Sequence, residues 1–111
     1  DYADKVKYFI GKDIFGFGKV DAFFHDPSIF AVICDGLDKP VTVKFDNNIE
    51  IKTNVVFSTP DELNSFVKGL GLKVNYDPKN GPSFEGMING WKVECTMGFG
   101  PISSKFVIRK P

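Results

Sequence analysis

Between Pro40 and Phe57 the chain reads PVTVKFDNNIEIKTNVVF. Val41, Val43 and Phe45 alternate with Thr42 and Lys44, and then Ile49 and Ile51 alternate with Glu50 and Lys52. A period of two gathers the apolar side chains on one face of a pleated strand, whereas a helix would scatter them. Asn47-Asn48 separates the two runs, and asparagine tolerates positive φ in a turn. This segment predicts a β-hairpin, with a further strand expected at Asn54–Phe57. A lone hairpin is marginal in water, so the rest of the chain must supply partners for it.

Those partners are readable. SIFAVICDG is a short apolar run bounded by a turn and predicts a buried strand at Ile29–Cys34. SFEGMINGWKVECTM predicts a second hairpin around Asn89-Gly90. On its return strand Trp91, Val93, Cys95 and Met97 share one face, and Lys92, Glu94 and Thr96 share the other. KFVIR near the end is a last strand. LKVNYDPKNGP reads as a strand stub and a polar loop. STPDELNSFVKGLG predicts a capped helix, with Thr59 as N-cap, Pro60 at the first helical position and Glu62 reaching back to the N-cap amide. Leu63, Phe66, Val67 and Leu70 form its buried stripe, and Gly69 and Gly71 are expected to end it. At the front, Val6, Phe9, Ile10 and Ile14 predict a helix over about Tyr2–Phe15, weakened at Gly11. VDAFFHDP predicts a short second helix ended by Asp26-Pro27. The expected architecture is α+β: a mostly antiparallel sheet with N-terminal helices and one capped mid-chain helix packed on it.

Length and composition bound the rest. The 111 residues make a single domain, 1–111, and such a chain buries roughly two-thirds of its unfolded surface without metals or disulfides. Twelve phenylalanines within 42% apolar residues exclude disorder. Fourteen cations against fourteen anions exclude duplex nucleic acid as a default partner, because phosphate binding needs clustered excess positive charge. Cys34 and Cys95 lie far apart in apolar strand patterns and read as buried hydrophobes, with a disulfide between them left open. One histidine and no CxxC leave no metal site to argue from spacing. No signal peptide and no membrane-spanning apolar run is present. The start at Asp1 rather than Met leads to the expectation of a cut fragment or a processed protein.

No self-contained catalytic apparatus emerges. GFGK at 16–19 has glycines and a lysine, but no preceding strand, and Val20 stands where a phosphate loop needs Ser or Thr. His25-Asp26 are adjacent and face apart, so a polar helix end is the expectation rather than a proton-transfer pair. Glu85, Glu94, Asp77 and Asp46 are scattered, and spacing brings no two together. Ser103-Ser104 lack a nucleophile elbow and a base, and read as loop hydroxyls. The remaining signal is cationic. Lys92 lies on the polar face of the 91–97 strand, and Arg109, the only arginine of the chain, points opposite Phe106 and Ile108. If these strands pair, the two cations lie near one another.

The order of landmarks resembles a known family. DIFGFGKVDAFFHDPSIFAVICDG, KPVTVKF, IKTNVVFSTPDELNSFVKGLG, INGWKVECTM and KFVIRKP look, in that order and spacing, like the N-terminal domain of type II/IV secretion ATPases, closest to the archaeal pilus and archaellum branch. The resemblance runs from about Asp13 to Pro111. It implies that the IRK strand closes an N-terminal domain, followed by a linker and a RecA-like motor with the Walker motifs, absent from this chain. It further implies ATP and Mg bound in the full-length protein between the two domains and none in the fragment, a homo-hexamer of such subunits, a membrane platform protein as partner, no nucleic acid, and a cytoplasmic location at the inner face of the membrane.

Under the resemblance Arg109, Lys92 and Lys110 are the expected nucleotide contacts, with no catalytic residue in the fragment. One departure bears on this. Around NGPSFEGMINGWK the family's proline and aspartate are displaced, and Lys92 stands where the family has an arginine, which keeps the charge and loses the bidentate fork. Thr53-Asn54 and Asp26-Pro27 are intact. The alternative is a stand-alone α+β module that binds a protein or a small ligand without any ATPase.

Overall fold

The computed structural model describes residues 17–111. The helix expected over Tyr2–Phe15 lies outside the described residues. Among the described residues the strands are β1 (Ile29–Cys34), β2 (Thr42–Phe45), β3 (Glu50–Lys52), β4 (Ser83–Ile88), β5 (Trp91–Thr96) and β6 (Lys105–Arg109), and the α-helix is α1 (Pro60–Lys73). Short 3-10 helices span Gly18–His25 and Pro78–Asn80. All strand pairings are antiparallel, in a six-stranded sheet of order β3-β2-β1-β6-β5-β4. The α+β reading with an antiparallel sheet and a mid-chain helix packed on it is therefore what the chain adopts.

Both hairpins form at the expected residues, by different turns. Asn89 and Gly90 both take positive φ, 50° and 86°, and close Ile88 against Trp91 in a two-residue loop whose twist matches that of the strands. The other loop holds three residues. Phe45 N–H donates to the Ile49 carbonyl at 2.9 Å, Asn48 takes φ 68°, and Asn47 Oδ1 accepts from Ile49 N–H at 3.2 Å.

The segment 54–57 forms no strand. It is held by single bonds instead: Val41 N–H donates to the Val55 carbonyl and Asp38 N–H to the Phe57 carbonyl. Thr53 makes the bend, its hydroxyl donating to the Val41 carbonyl at 2.8 Å and accepting from Val55 N–H at 3.2 Å.

The helix cap is close to the expected one. Thr59 Oγ1 accepts from Glu62 N–H at 3.2 Å, and Glu62 Oε1 accepts from Ser58 N–H, one residue earlier than expected. At the other end the helix runs through both glycines to Lys73, so the strand stub expected at the start of LKVNYDPKNGP does not form. Gly71 serves packing instead: a Cβ there would lie 3.0 Å from Tyr76 and 3.3 Å from Phe84.

Register divides the sheet into two faces. On one, Val43, Val32, Ile108 and Val93 form a row, and Cys34, Phe106 and Cys95 the next; all are buried. The 3-10 helix at Gly18–His25 and α1 cover this face, with Phe17, Phe23, Phe57 and Leu63 fully buried beneath them. Phe106 is the hub, tilted against Phe66 at 4.9 Å and edge-on to Phe57 at 5.8 Å. Each such side chain contributes about 1.5–3 kcal/mol on burial.

Cys34 and Cys95 flank Phe106 on opposite sides, both paired with it in register. Two strand spacings separate their Cα atoms, roughly 10 Å, beyond the reach of a disulfide. Both are free, and the disulfide left open by the sequence does not form.

The contrast between two glycines gives a test. A Cβ on Gly86 would sit 2.6 Å from Val74 Cγ1, while one on Gly69 meets nothing within 4 Å. Gly86→Ala is expected to lower stability by about 1–3 kcal/mol and Gly69→Ala to raise it by about 0.5–1 kcal/mol, as read by urea denaturation.

Candidate functional site

The other face of the sheet carries the charges, and among the described residues no helix packs on it. One row across it runs Lys44, Ala31, Arg109, Lys92, Met87, and the next runs Thr42, Ile33, Val107, Glu94, Glu85. Arg109 and Lys92 are direct cross-strand partners, so the two cations singled out in the sequence do stand side by side. Glu85 and Glu94 are direct partners too, a pairing that strand spacing alone did not bring together. The signal was present in the hairpin: with Asn89-Gly90 as a two-residue turn, Glu85 and Glu94 must face each other.

Like charges directly opposite one another destabilise a sheet, and diagonal contacts relieve it here. Arg109 Nε donates to Glu94 Oε1 at 2.7 Å, and Lys92 Nζ lies 3.8 Å from Glu85 Oε2. The lysine contact is an ion pair without a hydrogen bond. Arg109 also donates from an Nη to the Lys110 carbonyl at 3.2 Å, which leaves guanidinium N–H groups unused by these contacts, with the side chain 32% exposed.

Lys110 is elsewhere. Its Nζ donates to both carboxylate oxygens of Asp46 at 3.0 Å and to the Pro27 carbonyl at 2.9 Å. It thereby ties the chain end to the Asp26-Pro27 turn, where Asp26 Oδ1 accepts from the Ser28 amide and hydroxyl. Arg109 and Lys92 border an open groove of about 480 Å³ together with Glu85, Gly86, Met87 and Pro111, and Lys110 is not part of its lining.

The lysine of GFGK has a structural task. Lys19 Nζ donates to the Val56 carbonyl and to Glu62 Oε2 (2.9 Å), and lies 4.6 Å above the Phe57 ring. Gly18 takes φ 52° beside the Phe66 ring. Gly18 and Lys19 open the 3-10 helix and pin it to the start of α1. His25 is placed against Asp21. Its ring faces Asp21 at 3.5 Å, one helical turn back, and the buried Asp21 carboxylate accepts from Phe17 N–H at 3.1 Å. Ser104 is more than a loop hydroxyl. It is fully buried, accepts from Gly98 N–H at 2.9 Å and donates to Asn64 Oδ1 at 2.6 Å, holding the 98–103 loop to α1.

Among the described residues no group of three or more His, Cys, Asp or Glu side chains is arranged to hold a metal ion, and no helix is long and apolar enough to cross a membrane.

Comparison with known proteins finds little. No family model matches the chain. It is 40% identical over 69 residues, 62% of its own length, to uncharacterized protein MJ1288 of Methanocaldococcus jannaschii. The match spans 27% of that relative's length, so there the segment is one part of a longer chain.

Two measurements check this local chemistry. The Lys19 ammonium bonded to Glu62, aided by the Ser58 amide, holds that carboxyl below its usual range. A folded pKa below the unfolded one adds stability above the unfolded value, and that stability is lost as pH falls through the folded one. Glu62→Gln is therefore expected to lower Tm at neutral pH, with the difference from the parent shrinking as pH falls below 4.5. Burial pushes the Cys95 thiol up to about 12 and raises that of Cys34. Thiol reagents at pH 8 are expected to leave both cysteines untouched in the native state and to modify both after denaturation.

Proposed function

We propose that this chain is the N-terminal domain of a secretion or pilus-assembly ATPase, which closes over nucleotide held by a RecA-like motor domain. The observation that supports this reading best is the cross-strand pair Arg109–Lys92, on the open face beside Pro111, where the resemblance expects cations to meet a nucleotide. The Arg109 guanidinium is oriented by Glu94 and keeps donors turned away from that bond. A phosphate arriving from a second domain meets a cation already held in place, and such a charge delivered at closure stabilises the transferring phosphoryl group. Lys92, held at 3.8 Å from Glu85 without a hydrogen bond, gives way more easily and supplies a second charge without a fork. Lys110, bonded to Asp46 and Pro27, would have to leave those partners to reach a nucleotide, and is the weaker candidate of the three. ATP and Mg belong to the longer protein, as do the hexamer, the membrane platform partner and the placement at the cytoplasmic face.

Arg109→Ala in the protein that carries the motor is expected to lower ATP turnover by about tenfold or more, and Arg109→Lys to restore little of it. Unchanged turnover together with unchanged nucleotide affinity overturns the contact. The 111-residue chain alone is expected to show no saturable ATP binding. A second reading, a stand-alone interaction module, draws support from one observation: each of the three cations already has a carboxylate within 4 Å. Under it, Arg109→Ala lowers the Tm of the domain and leaves turnover alone.

A further inference from the structure

Among the described residues the sheet ends at β3 on one side and β4 on the other, and these edges are not alike. β3 is three residues long, exposed at each of them, and carries Glu50 and Lys52, the short charged form by which sheets discourage further pairing. β4 is six residues long, with Glu85 as its only charge and Met87 54% exposed. The two-residue turn at Asn89-Gly90 makes Ile88–Trp91 a hydrogen-bonded pair. By alternation, Ile88, Gly86 and Phe84 bond to β5, and Ser83, Glu85 and Met87 turn their N–H and C=O groups outward. Among the described residues, the backbone bonds outside the ladders use none of these groups.

We infer that β4 is a self-association edge, pairing antiparallel with β4 of a second copy about a twofold axis at Gly86. The register follows from charge. Centred on Glu85, the pairing sets two carboxylates directly opposite, which is unfavourable. Centred on Phe84 it carries the outward-facing Met87 past the strand end to Gly81, which lies outside β4 at φ 101°. Centred on Met87 it sets Glu85 against the turn residue Asn89. Centred on Gly86, Glu85 of each copy exchanges both ladder bonds with Met87 of the other. The open-face row Arg109–Lys92–Met87 then runs on into Glu85–Glu94 of the second copy, so the basic end of one row meets the acidic end of the other, twice by symmetry. On the covered face Phe84 stands opposite Ile88, and Gly86 meets Gly86 with no side chain between. Such a contact is isologous and closes at two copies. The inference stands independently of the ATPase reading.

Sedimentation equilibrium of the intact chain tests it. A monomer–dimer equilibrium in the micromolar range is expected. Met87→Pro removes an outward N–H that β5 does not use, and is expected to weaken the dimer by at least about tenfold while leaving the fold intact by circular dichroism. Glu85→Lys and Lys92→Glu are each expected to weaken it, and the double exchange to restore it. Register is read directly by mixing Glu85→Cys chains with Met87→Cys chains. The mixture is expected to form disulfide-linked dimers under mild oxidation well beyond either chain alone, since only the mixed pair stands directly opposite. A monomer at every concentration up to about 1 mM, or a dimer indifferent to the charge exchange and to the mixed cysteines, overturns the inference. If Met87→Pro does not fold, the charge exchange and the cysteine mixture still decide.

Discussion

The last strand joins two ladders that otherwise share no hydrogen bonds. β1, β2 and β3 form one, β4 and β5 the other, and only β6 pairs with both. Its Phe106 and Ile108 complete the two buried rows of the covered face, and Phe106 is the aromatic hub under α1. The core therefore cannot close until the end of the chain arrives. Pairing β6 with β1 spans more than seventy residues of sequence, a long loop to close before it is rewarded.

That placement changes what the final residues are. An arginine at position 109 looks like the cation of a frayed end when read along the chain. In the sheet it stands between β1 and β5, with Ala31 and Lys92 as its lateral neighbours. The backbone continues the pairing one residue further, where Lys110 N–H donates to the Phe30 carbonyl, and the Lys110 ammonium then reaches Asp46 and Pro27. The end of the chain is thus among the most constrained parts of the open face.

Local chemistry was legible where a short stretch carries its own geometry. Asn89-Gly90 dictates a tight turn, and Thr59 with Glu62 dictates a helix start. What failed depended on contacts with distant residues. Gly69 and Gly71 look like a helix stop, yet α1 passes through them because Tyr76 and Phe84 press on the bare Cα of Gly71. Asn54–Phe57 has strand-like residues, but Thr53 folds its hydroxyl onto Val41 and turns the segment out of the ladder. The same division holds at the site. Alternation placed Lys92 and Arg109 on the polar face, and their adjacency followed once β5 and β6 were paired. The hairpin register placed Glu85 against Glu94, but nothing in the spacing showed that Asp46 would claim Lys110 across 64 residues.

A zero net charge conceals this organisation. The open face sorts its charges, with a basic row through Lys44, Arg109 and Lys92 beside a row that ends in Glu94 and Glu85. Diagonal bonds between the rows fix the side chains without burying them, which costs little desolvation and yields little stability. Their effect is positional. Arg109 is held by Glu94 at 2.7 Å, and any anion that comes to the groove must share it with that carboxylate. Such an anion gains a preset fork and loses part of its attraction to the neighbouring negative charge. An arrangement of this kind favours a ligand presented by another surface, which brings its own binding energy, over one captured from solution.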